Sequence, residues 1–161
     1  MPPSDNAVGS VERVRSALAA AGHPDTIMEF PASTRTAADA AAAVGCTVAQ
    51  IAKSIVFRAA ERPVVVITSG ANRVDPAKAA AVLGVKLARA DADWVRDVTG
   101  FAIGGVAPVG HRTPPLLLLD EDLMTLDPVW AAAGSPSHVF RTTAAELQRI
   151  TGARVAPVAS R

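Results

Sequence analysis

The stretch KSIVFRAAERPVVVITSG, residues 53–70, constrains the fold of this chain more than any other. Two apolar runs rich in Val and Ile flank AAERP, a turn signal, and that order predicts a β-hairpin. Helix and strand signals surround it without strict alternation. Ser10 can cap a helix over VERVRSALAAAG that stops at Gly22. TIMEF, residues 26–30, reads as a short strand. Thr36 opens TAADAAAAVG, with Asp39 at the capping-box position and Gly45 as the stop. Thr47 and Gln50 repeat that spacing, which predicts a short helix over 48–52 and leaves Lys53 to open the first hairpin strand.

Beyond the hairpin, VDPAKAAAVLG carries Asp75 as cap, Pro76 at the first helical position and Gly84 as stop. VKLAR is a strand signal, and Asp91 opens a helix through Trp94 to about Val98. LLLLD, residues 116–120, predicts a short buried strand, and VWAAAGSPSHVF predicts a hairpin turning at GSPS. Thr143 and Glu146 form a last capping box before a helix ending at Gly152. The fold expected is α+β, a single domain with a curved, barrel-like mixed sheet surrounded by helices. Residues 1–9 read as a flexible leader and 10–161 as the domain.

Composition narrows the class. The chain has 161 residues, which suits one domain, and 50% of them are hydrophobic. Aromatics are scarce and Tyr is absent, so the core must be Ala, Val, Leu and Ile. A net charge of +1 excludes a strongly basic nucleic-acid coat, though not a local patch. The single Cys46 allows no internal disulfide, which fits a reducing, cytoplasmic setting. MPPSDNAVGS has neither the basic nor the apolar segment of a signal peptide, and no apolar run approaches membrane length.

Several chemistries have no support in the residues. His23, His111 and His138 lie far apart with no partner at metal-ligand spacing, and no cofactor is expected. There is no GxSxG elbow. Cys46 reads as a small packed side chain rather than a nucleophile. The segment GFAIGGVAPVGH, residues 100–111, places four glycines and Pro108 among small apolar residues. It lacks the Gly-Lys-Ser/Thr of a phosphate loop. It is either a plain connection or a loop whose exposed N–H groups bind a small polar ligand. Lys53 stands either at a solvated rim or at a pocket.

TAADAAAAVGCTVAQIAKSIVF, VDPAKAAAVLG, GFAIGGVAPVGH and RTTAAELQRITGA, in that order, resemble the YbaK/ProX family. These are free-standing relatives of the editing domain of bacterial prolyl-tRNA synthetase. The resemblance runs from about Val11 to Arg154. Its most specific pieces are Lys53 and the Gly-x-x-x-Pro loop from Gly104 to Pro108. It implies a trans-acting deacylase that hydrolyses the ester of mischarged tRNA carrying a small amino acid such as Ala or Cys, on the tRNA for proline. Lys53, Gly104, Gly105 and Pro108 are the implied catalytic positions. Phe30, Thr36, Ser54, Val106, Ala107 and His138 are the implied substrate-binding ones. In this reading the loop N–H groups stabilise the oxyanion and Lys53 clamps the substrate by charge. The implied partners are the acceptor end of aminoacyl-tRNA and prolyl-tRNA synthetase, with no membrane or DNA. A non-catalytic tRNA- or synthetase-binding module of the same fold is the alternative. Arg58, Arg62, Arg112 and Arg149 are candidate phosphate contacts.

Overall fold

The computed structural model describes residues 3–30 and 36–161. The expected hairpin is its centre. Strands β2 (Ile51–Ala59) and β3 (Arg62–Ser69) pair antiparallel from Ala52↔Ser69 to Ala59↔Arg62. Around them an eight-stranded mixed sheet is completed by β1 (Ile27–Glu29), β4 (Ala88–Arg89), β5 (Leu116–Asp120), β6 (Val129–Ser135), β7 (His138–Thr142) and β8 (Arg154–Ala156). The order is β1-β7-β6-β2-β3-β5-β8, with β4 paired to β2. Strands β3 and β5 run parallel, as do β5 and β8, and β2 and β6.

The apolar runs are central because both faces are covered. Val65 and Ile67 of β3 join one core cluster, and Val64 and Val66 join another. Leu119 and Leu118 of β5 divide in the same way. A strand buried on both faces loses the polar alternation of a half-exposed one. Helices α1 (Pro3–Ala20), α4 (Ala92–Thr99) and α5 (Ala144–Thr151) cover the first face through Leu18, Val95 and Leu147. Helix α3 (Pro76–Leu83) covers the other through Ala79. Helix α2 (Ala37–Val44) packs Ala40 and Ala41 against Phe30, Ile51, Trp130 and Val139. The α+β sheet enclosed by helices is therefore as expected. The caps Thr36, Asp75, Asp91 and Thr143 all accept the backbone hydrogen bonds that their spacing implies.

Four local expectations change. Ser10 is no cap: α1 begins at Pro3, inside the expected leader, and Ser10 donates to the Gly100 carbonyl at 3.3 Å. The helix over 48–52 is a single 3-10 turn, Val48–Gln50, because the sheet claims Ile51 and Ala52. Lys53 is thus the third residue of β2, not its first. VKLAR contributes only Ala88–Arg89 to the sheet, because β4 meets β2 only at Phe57 and Arg58. Strand β8 and a 3-10 segment over Glu121–Thr125 had no sequence expectation.

Candidate functional site

The sheet splits beside β2. The Ile51 carbonyl accepts from Gly70 at 2.6 Å, so odd-numbered residues of β2 turn their peptide groups toward β3. Even-numbered residues turn theirs to the other edge. There β6 pairs at Ile51 and Ala52, and β4 pairs at Phe57 and Arg58. Neither register reaches Ser54. A cavity of about 360 Å³ opens along this interval.

Its walls come from several elements around the split. β2 contributes Ile51 to Val56, α2 contributes Ala37 and Ala40, and α4 contributes Val95. β6 and β7 contribute Trp130, Ser135, His138 and Val139, and the glycine-rich segment contributes Ile103, Gly104 and Val106. The lining is largely aliphatic. The polar side chains among it are Thr36, Lys53, Ser54, Ser135 and His138.

Two of these lack partners among the described residues. Lys53 lines the cavity and makes no hydrogen bond or ion pair with any described residue. The Ser54 hydroxyl is buried without a hydrogen-bond partner among the described residues, in a row with Ala52 and Val56 that faces the main core. An unsatisfied buried hydroxyl costs about 1–3 kcal/mol and signals a missing partner. His138, by contrast, is held on both sides. Its Nδ1 lies 2.6 Å from Ser135 Oγ and its Nε2 lies 3.2 Å from Glu29 Oε2.

The glycine-rich segment is a loop with a tight seat. A Cβ on Gly105 would come within 2.8 Å of the Ser135 Cα, so only a bare backbone can lie against β6 there. Gly104 has open space around it, but its φ of +95° disfavours any side chain. The Gly105 N–H already donates to the Ala102 carbonyl at 3.0 Å. Those of Gly104 and Val106 have no backbone acceptor among the described residues.

Of the residues expected from sequence, Lys53, Ser54, Thr36, Gly104, Val106 and His138 meet in this cavity. Thr36 lines it while capping α2. The remaining four do not line it. Ala107 is fully buried in the main core, since the loop turns inward after Val106. Pro108 lies buried beyond it, against a separate hollow with Ala17 and Ile150. Phe30 stands behind the wall, packed on Ile51, Trp130 and Val139. Gly105 is buried against Ser135 and acts as a spacer. Ser135 and Glu29 were missed. The signal that could find them is their position across from His138 on neighbouring strands.

The other candidates have structural settings. His23 bonds Thr142 Oγ1 at 2.9 Å and the Pro24 carbonyl at 2.7 Å. Cys46 is half-buried, and burial pushes its thiol pKa up, away from a nucleophile's range. Arg58 stacks on Trp94 and pairs with Glu61, and Arg149 pairs with Glu146. No described helix is long and apolar enough to cross a membrane.

A sequence profile of the aminoacyl-tRNA editing domain matches residues 31–150. The chain belongs to this editing family. Comparison with known proteins agrees across nearly the full length of this editing domain. A solved structure of a candidate trans-editing enzyme for prolyl tRNA synthetase is 46% identical, with a TM-score of 0.90, over 100% of this chain and 99% of that one. The hypothetical protein APE2540 is 27% identical with a TM-score of 0.85, over 92% of this chain and 99% of that one. The uncharacterized protein YwhH of Bacillus subtilis (strain 168) is 29% identical over 147 residues, 91% of this chain and 94% of YwhH. The YbaK-like membership expected from the motif order is met, and so is the fold.

Proposed function

We propose that the protein is a trans-editing deacylase. It hydrolyses the ester joining a small amino acid, such as Ala or Cys, to the terminal ribose of mischarged tRNA for proline. The observation that carries this reading is the unpartnered Lys53 ammonium and Ser54 hydroxyl in an aliphatic cavity opened by the split sheet.

Size limits the guest. Small-molecule sites span about 300–1,000 Å³, and this cavity of about 360 Å³ stands near the lower end. It suits an aminoacyl group with its ribose, and the rest of the acceptor end stays outside. Aliphatic walls discriminate by about 1–3 kcal/mol per methylene. A synthetase pocket cannot exclude every smaller amino acid on those terms. A second, small cavity that admits them and rejects the larger cognate supplies the missing factor.

The chemistry follows from the free groups. Lys53 holds the negative end of the substrate, either the developing oxyanion or the terminal phosphate. Ser54 supplies a hydrogen bond that its surroundings leave unmade. The loop donors assigned to the ester oxygen are the Gly104 and Val106 N–H groups, which have no backbone acceptor among the described residues. The acceptor end of the tRNA is the macromolecular partner, and prolyl-tRNA synthetase is the source of the mischarged species.

The test is turnover on a panel of alanyl-, cysteinyl-, seryl- and prolyl-tRNA. Release of a small amino acid at catalytic protein concentration, with prolyl-tRNA left intact, is the expected result. Binding of tRNA without turnover on any member would overturn the deacylase reading in favour of a non-catalytic tRNA-binding module.

A further inference from the structure

Three polar side chains form one row across three neighbouring strands. Glu29 of β1 stands opposite His138 of β7, and His138 stands opposite Ser135 of β6. Directly opposed residues on paired strands project to the same face. The second pairing depends on a break in register between Ala132 and Ser135. Ala132 pairs with Val139, so an unbroken ladder would put Ala133 opposite His138. The bulge puts a hydroxyl there instead, a recurring use of bulges near functional sites.

The hydrogen bonds in this row have a direction. A carboxylate only accepts, so the Glu29 contact at 3.2 Å calls for the proton on His138 Nε2. In the neutral imidazole, Nδ1 is then an acceptor. Ser135 Oγ, 2.6 Å away, donates to it. Ser135 Oγ also accepts from the Ser137 N–H at 3.1 Å, which fixes the remaining geometry. Ser137 Oγ lies 3.3 Å from Ser135 Oγ and 3.5 Å from Nδ1. The row runs inward from the exposed Glu29 to Ser135, which lines the cavity beside Gly104.

We infer that Glu29, His138 and Ser135 form a proton relay that activates the attacking water in this cavity. The inference rests on the deacylase reading. The water oxygen bonds to the ester carbonyl carbon and gives its proton to Ser135 Oγ. The Ser135 proton passes to His138 Nδ1, and Glu29 faces the resulting imidazolium. When the carbon–oxygen bond to the ribose breaks, the same proton returns through Ser135 to the ribose oxygen. The products are the free amino acid and the tRNA hydroxyl, and no acyl-enzyme forms. His138 and Ser135 are the relay proper, and Glu29 is a positioning residue that holds the tautomer.

Two readouts test this on the full chain. Nitrogen-15 NMR of the imidazoles should show His138 protonated at Nε2 in the wild type, with that preference weakened in Glu29→Gln. A His138 signal from the Nδ1-protonated tautomer in the wild type would overturn the relay without any assay of activity. In single-turnover deacylation of alanyl-tRNA, Ser135→Ala and His138→Asn should each lower the maximal rate about 100-fold, the low end for general-base catalysis. The substrate concentration for half-maximal rate should hold, and the double variant should be no slower than the worse single one. Folded Ser135→Ala turning over at the wild-type rate would overturn the relay, as would an aminoacyl group trapped on Ser135. A wild-type protein inert on every aminoacyl-tRNA would instead defeat the deacylase reading, while the NMR arm still tests the hydrogen-bonded row.

Discussion

Arg13 of α1 ties the two ends of the glycine-rich loop together: its Nη2 donates to the Gly100 carbonyl at 2.8 Å and its Nε to the Gly110 carbonyl at 2.9 Å. The guanidinium also lies 4.7 Å above the Phe101 ring. Burial, with the nearby Arg112 charge, lowers its pKa. The segment that supplies Gly104 and Val106 to the cavity is therefore closed by a residue almost ninety positions away from it in sequence. Arg13→Gln should loosen this closure. Hydrogen bonds to charged groups are worth about 1.5–3 kcal/mol each, toward the low end where the group is partly exposed. A fall in denaturant midpoint together with a slower deacylation rate is expected. A full rate with a lowered midpoint would show that the loop does not need its tie.

Replacing Lys53 or Ser54 should in each case weaken the reaction without loss of stability. Lys53→Ala removes a charge that bonds no described residue, so stability should move by about 0.5 kcal/mol or less. The rate should fall about ten- to a hundredfold, the worth of one charged hydrogen bond to substrate. Ser54→Ala removes a buried hydroxyl with no partner among the described residues. It should hold or raise the melting point while weakening the reaction. A Ser54→Ala protein that is both less stable and fully active would return the hydroxyl to a structural role.

The two loop glycines separate strain from space. Gly104→Ala meets nothing within 4 Å, but it forces an L side chain to φ +95°. That conformation costs about 1–2 kcal/mol, or roughly 2–8 °C in Tm for a chain of this size. Gly105→Ala drives a methyl into the Ser135 backbone. It should shift the loop off β6 and lower the rate as well as the Tm. Equal rates for the two variants, measured where both are folded, would separate the loop's seat on β6 from the reaction.

His111 makes stability depend on pH. Its Nε2 donates to the Ala107 carbonyl at 2.6 Å, so its buried Nδ1 carries the lone pair and has no partner among the described residues. Burial, and secondarily the Arg13 charge, lower its pKa below the ordinary value, despite the opposing carbonyl bond. The unfolded chain therefore binds this proton more readily than the folded one. The associated stability is present above the unfolded pKa of about 6.5 and is lost as pH falls from there toward the lower folded value. Chemical denaturation between neutral and mildly acid pH should show that loss in the wild type. His111→Gln keeps a donor for Ala107 and should flatten this part of the profile. An unchanged slope would mean that other groups carry the dependence.

Local signals in the sequence determined the elements. Thr36, Asp75, Asp91 and Thr143 cap their helices because a short polar side chain satisfies its own neighbours' N–H groups, whatever packs around it. The hairpin over 53–70 and the buried LLLLD strand follow as directly from their apolar runs. The order of motifs was enough to place the family. Of the residues that the resemblance implied, Thr36, Lys53, Ser54, Gly104, Val106 and His138 line one cavity, and Phe30, Gly105, Ala107 and Pro108 do not. Tertiary structure decided the rest, because it depends on register and on which edge stays open. Whether β6 and β4 reach Ser54 is a matter of pairing length. That Ser135 and not Ala133 faces His138 depends on a register shift invisible to periodicity. Ala107 and Pro108 carry the same loop signature as Gly104, yet the chain turns into the core after Val106 and takes them out of reach. A loop motif specifies a backbone shape, but only the packing around it determines which of its residues meet the ligand.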